Sequence, residues 1–165
     1  MKFILLIILL LFFSACRQES TTSDAQPPAR FEQETTLAQE IVKYAQTLRD
    51  IPYKYATSDP EVGFDCSGFV NHVYGQFGVE VPRSSVNFKE AGPTVLLAEA
   101  EPGDIVLFTG TNPDNRRIGH LGIVVKNDED GINFIHSTSG KQYSVVLTPL
   151  LGHYERRFVK VIRVL

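Results

Sequence analysis

Between Asp104 and Leu165 the chain passes through five short runs rich in β-branched and aromatic residues, "DIVLFTG", "HLGIVVKN", "INFIHST", "SVVLTPL" and "FVKVIRVL". Turn residues separate them, so each reads as a strand. Upstream, the apolar spacing is helical. Leu37, Ile41, Ala45 and Leu48 follow Thr36 and Gln39, which match a capping box. That helix runs to about Arg49 and must end before Pro52, which disfavours helical backbone at Ile51. A second helix starts at Asp65 or Cys66 with two apolar rows, Phe69, Val73, Phe77 and Cys66, Val70, Tyr74, and Gly78 ends it. The stretch from Val79 to Pro102 is mixed, with a short helix expected near Val86 to Ala91. Helices first and strands afterwards imply an α+β domain, its N-terminal helices packed on a C-terminal antiparallel sheet of about five to six strands.

The chain opens "MKFILLIILLLFFSAC", with Lys2 before an apolar run from Phe3 to Phe13 and then small Ser14 and Ala15. This is the layout of an export signal, and the run is shorter than the roughly 20 residues a membrane-spanning helix needs. "FSAC" resembles a bacterial lipobox, which implies a signal peptide over residues 1–15 and a lipidated Cys16. Residues 16–31 are polar, contain paired prolines and carry almost nothing apolar larger than alanine, so they read as a lipid-anchored flexible tether. Residues 32–165 are then one domain with a single core. The expected location is extracytoplasmic, and Arg17 rather than Asp after the anchor favours the outer membrane facing the periplasm if the cell is Gram-negative.

With Cys16 acylated, Cys66 is left as a lone thiol in an oxidising compartment, a liability that points to a chemical role. The thiol at the start of a helix is expected to gain thiolate character from unpaired N–H groups and the helix dipole. Two histidines complete the set. "GHLGIVVKNDEDGINFIHSTSG" reads as a hairpin centred near Glu129. Symmetry about that residue sets Gly122 opposite His136 and makes His120 and His136 diagonal neighbours on one face, roughly 7 to 8 Å apart at the backbone. A one-residue register shift would put them on opposite faces. Cys66, His120 and His136 thus supply a nucleophile, a base and an orienting group, with the Cys66 N–H as an oxyanion donor. His72, on the helix surface, and His153, before the last strand, lack such a setting.

The mildly acidic balance, formal net charge −3 with no basic block, gives no support for nucleic-acid binding. A thiolate with two imidazoles is also a metal-ligand set, but no two of these residues have CxxC or HxxxH spacing, so neither a metal nor any other cofactor is expected.

"GFDCSGFV", "PRSS", "PGDIVLF", "GHLGIVV" and "FIHSTSG", in that order, resemble the NlpC-type cell-wall peptidases, a papain-like group of thiol enzymes. The resemblance covers roughly Ile51 to Leu165. It implies a papain-like fold and a catalytic triad at Cys66, His120 and His136, and it maps an upstream site tyrosine onto Tyr53. Asp65, Ser67 and Arg83 stand near the expected substrate groove, where helix capping and a surface ion pair are equally good explanations of them. The implied activity is a cysteine endopeptidase acting on peptidoglycan stem peptides, commonly at the link from D-glutamate to diaminopimelate or lysine. The alternatives are a non-catalytic wall-binding lipoprotein and an N-acetylmuramoyl-L-alanine amidase, which cuts between sugar and peptide. A monomer held at the membrane through lipidated Cys16 is expected.

Overall fold

The computed structural model describes residues 35–165; the expected signal peptide, lipidated Cys16 and tether lie outside the described residues. Helix α1 spans Leu37–Thr47 and opens with the anticipated capping box: the Gln39 N–H donates to Thr36 Oγ1 at 3.3 Å, and the Thr36 N–H donates to Gln39 Oε1 at 3.0 Å. It buries Ile41, Val42 and Ala45. A two-stranded antiparallel ribbon, β1 (Ser58–Asp59) and β2 (Gly63–Phe64), leads into α2 (Cys66–Gly75), with Asp65 as its N-cap.

Helix α2 stops at Gly75, before the expected Gly78. The N–H groups of Phe77 and Gly78 reach back only three residues, to Tyr74 and Gly75, and this tighter winding ends the α-helix. Gly78 then turns the chain with φ +72°. A 3₁₀ segment at Ser85–Glu90 stands where a short helix was expected, with Phe88 wholly buried.

The remaining strands are β3 (Thr94–Val95), β4 (Ile105–Thr109), β5 (Ile118–Asp128), β6 (Gly131–Ser137), β7 (Val145–Pro149) and β8 (Phe158–Ile162), with a short helix α3 (His153–Arg157) before the last. They form one six-stranded antiparallel sheet in the order β3-β8-β4-β5-β6-β7. Sequence periodicity anticipated the five longer strands; β3, at two residues, and α3, at five, are too short to show a period. The sheet carries a core on each face. Ile105, Leu107, Leu121, Ile123 and Ile135 pack with α1 and α2, while Val106, Phe108, Val124 and Phe134 pack with Val161 and Tyr154 of α3.

Two irregularities of the sheet set the geometry around the histidines. The first is a bulge. Near the turn β5 and β6 pair Asp128 with Gly131 and Lys126 with Asn133, but beyond Val125 the register becomes Val124 with Phe134 and Ile123 with Ile135. One extra residue in β5 therefore shifts the parity of the ladder. Extending the shifted register puts Gly122 beside His136 and turns His120 and His136 to the same face. The second is a parting of strands. The β5–β6 ladder ends at Ile123–Ile135, although β5 continues with β4 to Ile118 and β6 with β7 to Ser137. The corner between β2 and α2 enters this opening, where the Ser137 hydroxyl donates to the Phe64 carbonyl at 2.7 Å.

Gly122 makes the close approach possible. A Cβ there would lie 2.6 Å from Phe134 Cδ2, 2.8 Å from the Ile135 carbonyl oxygen and 3.0 Å from His136 Cβ. Gly122→Ala is expected to cost about 1–3 kcal/mol through overpacking, read as a lowered urea midpoint at unchanged m-value; an unchanged midpoint would contradict this packing.

Candidate active site

Cys66 is the first residue of α2, and its position follows from the N-cap. Asp65 accepts from the Gly68 N–H at 2.6 Å and from the Ser67 hydroxyl at 3.2 Å. Arg83 closes on the same carboxylate with both terminal nitrogens, Nη1 to Oδ1 at 3.0 Å and Nη2 to Oδ2 at 2.7 Å, and Nη1 also reaches Ser67 Oγ at 3.2 Å. Asp65 thus ties the helix start to the "PRSS" segment by a fork-shaped ion pair. Gly68 fits because the Thr57 carbonyl passes where its Cβ would be. Asp65 and Ser67 are buried within this network, while Arg83 keeps substantial exposure beside Cys66.

His120 and His136 meet on the sheet face that packs against α3. His120 Nε2 lies 2.8 Å from His136 Nδ1, and His136 Nε2 lies 3.0 Å from Thr148 Oγ1. Thr148 on β7 faces Phe134, one pleat away from His136, so the same sheet face supplies all three groups. If His120 carries its proton on Nε2, it donates to His136, His136 donates onward to Thr148, and His120 Nδ1 is left with a free lone pair.

Burial pushes the pKa of both imidazoles down. For His120 the neighbouring His136 and the Arg157 guanidinium add to the effect, and for His136 Arg157 does. Both rings are therefore neutral near pH 7. The thiol moves the other way: burial, then the adjacent Asp65 carboxylate, push Cys66 up to about 11, against the pull of the Ser67, Cys66 and Leu121 N–H groups. The helix N-terminus does not make Cys66 a resting thiolate, contrary to the expectation from its place in sequence, because desolvation and the capping carboxylate outweigh the amides. The Leu121 amide that borders the sulfur belongs to the residue after His120, so the thiol enters the sheet opening next to the histidine.

Cys66 lies between two hollows. One, of about 490 Å³, is shared with His120, Thr148, Tyr154 and Arg157. The other, of about 420 Å³, is bounded by Tyr55, Asp65, Ser67 and Arg83. Tyr53 borders both, its ring edge-on to Tyr143 at 5.3 Å between centroids, and burial followed by the nearby Cys66 raises its pKa, keeping it a phenol that donates. Among the described residues no cluster of three or more His, Cys, Asp or Glu has metal-binding geometry.

The other two histidines have different settings from those expected. His72 is partly buried, with Nε2 2.9 Å from the Tyr44 hydroxyl and its ring stacked on Tyr44. His153, set aside from sequence, borders the hollow of Cys66 and His120; Arg157 Nη1 donates to its Nε2 at 2.8 Å. Tyr154, Arg157 and Thr148 were also missed. The first two sit on a helix too short to leave a period, whereas the alternation of "SVVLTPL" against "INFIHST" contained enough to pair Thr148 with the His136 face.

The NlpC/P60 family matches residues 50–163. Over 104 residues the chain is 38 % identical to the bifunctional muramidase/DL-endopeptidase CwlT of Bacillus subtilis, covering 63 % of this chain and 30 % of that protein. It is 32 % identical over 105 residues to the murein DD-endopeptidase MepS/murein LD-carboxypeptidase of Escherichia coli, covering 62 % and 50 %. The chain thus spans half or less of the length of these relatives. An NlpC/P60 family protein from Bacillus cereus superposes with a TM-score of 0.69 at 25 % identity, covering 79 % of this chain and 41 % of that one. The family match over most of the chain and the structural superposition agree: the chain belongs to the NlpC/P60 family.

Proposed function

We propose that the protein is a cysteine endopeptidase that hydrolyses peptidoglycan stem peptides, at the bond from D-glutamate to diaminopimelate or lysine. The observation that carries this reading is the chain of contacts from His120 through His136 to Thr148, with the Cys66 thiol opening onto the same hollow. A relative with 38 % identity is a DL-endopeptidase and one with 32 % identity acts on murein, which supports the substrate class.

In this mechanism the resting pair is neutral. His120 Nδ1 takes the thiol proton as sulfur attacks the carbonyl carbon, so charge separates only during attack. The His136 ring steadies the resulting imidazolium by accepting from His120 Nε2–H. The oxyanion is held by the Cys66 N–H at the start of α2, with the Tyr53 hydroxyl as a second donor. His120 returns its proton to the departing amine. Water, deprotonated by the same ring, then cleaves the thioester and restores the thiol. Asp65, Ser67 and Arg83 hold the nucleophile's helix start and shape the acyl-side hollow.

Purified sacculi digested with the protein and analysed by mass spectrometry test the reading. Release of fragments cut after D-glutamate is expected, insensitive to chelator and lowered by at least about 10³-fold in Cys66→Ala. Cleavage retained by that variant would reject it, sacculus binding without release would favour a wall-binding role, and peptides freed at their N-terminal alanine would identify an amidase.

The pH profile is set by the same shifts. His120 must be neutral to act, and its pKa lies well below the ordinary value of 6.5. The acid limb of kcat/KM is therefore expected with a midpoint below 6.5, activity falling only as pH drops through the lowered pKa. A midpoint above about 7 would contradict the buried neutral pair. Inactivation by iodoacetamide is expected to keep accelerating past the ordinary thiol pKa of about 8.5, since burial holds the thiol protonated; a plateau at or below neutral pH would mean a resting thiolate.

We also propose that Cys16 is acylated and that residues 16–31 tether the domain to an extracytoplasmic membrane surface, within reach of the wall. Palmitate labelling in the native host is expected for the wild type and lost in Cys16→Ser; labelling that survives the substitution would refute the anchor.

A further inference from the structure

Arg157 is 7 % exposed, yet no carboxylate among the described residues pairs with it. Arg83 by comparison meets Asp65, and Arg163 meets Asp104 and Glu101. The partners of Arg157 are uncharged: Nε donates to the Gly110 carbonyl at 2.7 Å, Nη2 to the Thr109 carbonyl at 2.8 Å and Nη1 to His153 Nε2 at 2.8 Å. Because arginine can only donate, His153 is the acceptor and is neutral. The guanidinium carbon also stands 5.5 Å from the Tyr154 ring centroid. These bonds pin α3 to the end of β4, but none of the three acceptors carries a charge that would offset the guanidinium's. A buried, uncompensated cation is costly and calls for a counter-ion.

The hollow that Arg157 shares with Cys66 and His120 also receives Lys141, and no Asp or Glu lines it. Nη1 and Nη2 each carry a second hydrogen beyond the bonds above. The hollow is therefore a cationic site open to an anion. Its side of the scissile bond is fixed by the chemistry: His120 hands its proton to the leaving nitrogen, so the residue attached to that nitrogen occupies the His120 side.

We propose that Arg157 is a specificity determinant that binds a carboxylate on the side chain of the leaving residue. This rests on the stem-peptide reading above and deepens it: the distal carboxylate of diaminopimelate satisfies the site, whereas lysine, which ends in an ammonium, does not. A charge-assisted pair in a desolvated hollow favours the carboxylate substrate by about 10- to 100-fold.

The test uses two synthetic tetrapeptides, L-Ala-γ-D-Glu-diaminopimelate-D-Ala and the same peptide amidated at the distal carboxylate, with the full chain. The wild type is expected to prefer the free carboxylate by about 10- to 100-fold in kcat/KM, mostly through KM. Arg157→Gln is expected to bring the ratio to within about threefold, and Arg157→Lys to keep part of the preference. Equal kcat/KM for both peptides in the wild type overturns the inference, as does a ratio that survives Arg157→Gln. If the glutamine variant fails to fold, the wild-type ratio and the lysine variant still decide. Cleavage of neither peptide by the wild type would instead remove the stem-peptide reading, and the inference with it.

Discussion

Val125 is the extra residue in β5 that decides which way the second histidine points. With the pairing set by the turn alone, His136 would stand opposite Ile123 and project to the face of α1 and α2, away from His120. The bulge advances the ladder by one, so that both rings share a face and their nitrogens come within 2.8 Å. Every later element of the site depends on this parity. Gly122 leaves the space the His136 side needs, Thr148 ends the row of contacts, and Tyr154 of α3 packs edge-on to His136.

The second requirement is a way for the sulfur, carried by a helix on one face, to reach histidines on the other. The parted ends of β5 and β6 provide it. α2 packs beneath the sheet through Phe69, Val70 and Val73, and its first residue rises into the gap, fixed by Asp65, Arg83 and the Ser137–Phe64 bond. The same capping carboxylate that positions Cys66 also raises its pKa, so rigid placement and thiolate formation are opposed. A neutral thiol beside a neutral imidazole resolves that conflict, because the proton moves only when a carbonyl is present to be attacked.

Much of this was legible in the residues, for identifiable reasons. The capping box at Thr36 and Gln39, the start of α2 at Cys66 and the five longer strands arise from local spacing, which the tertiary structure leaves intact. The hairpin register near the histidines was recovered from symmetry about Glu129, even though the turn and the bulge each depart from that symmetry by amounts that cancel. Features made by distant segments were not legible. The pairing of β3 with β8 joins chain segments far apart in sequence, and Arg157 enters the site through carbonyls at the end of β4. The desolvation of Cys66 likewise depends on what surrounds the helix start, which spacing along the chain does not encode.

Nitrogen-15 NMR of the two ring systems is the decisive measurement of the neutral histidine pair, because long-range proton–nitrogen couplings read each imidazole's charge and tautomer. At neutral pH His120 and His136 are both expected to be uncharged with the proton on Nε2, and His136 Nδ1 to show the shift of a hydrogen-bond acceptor. A charged ring at either position, or a His120 proton residing on Nδ1, would contradict the neutral pair.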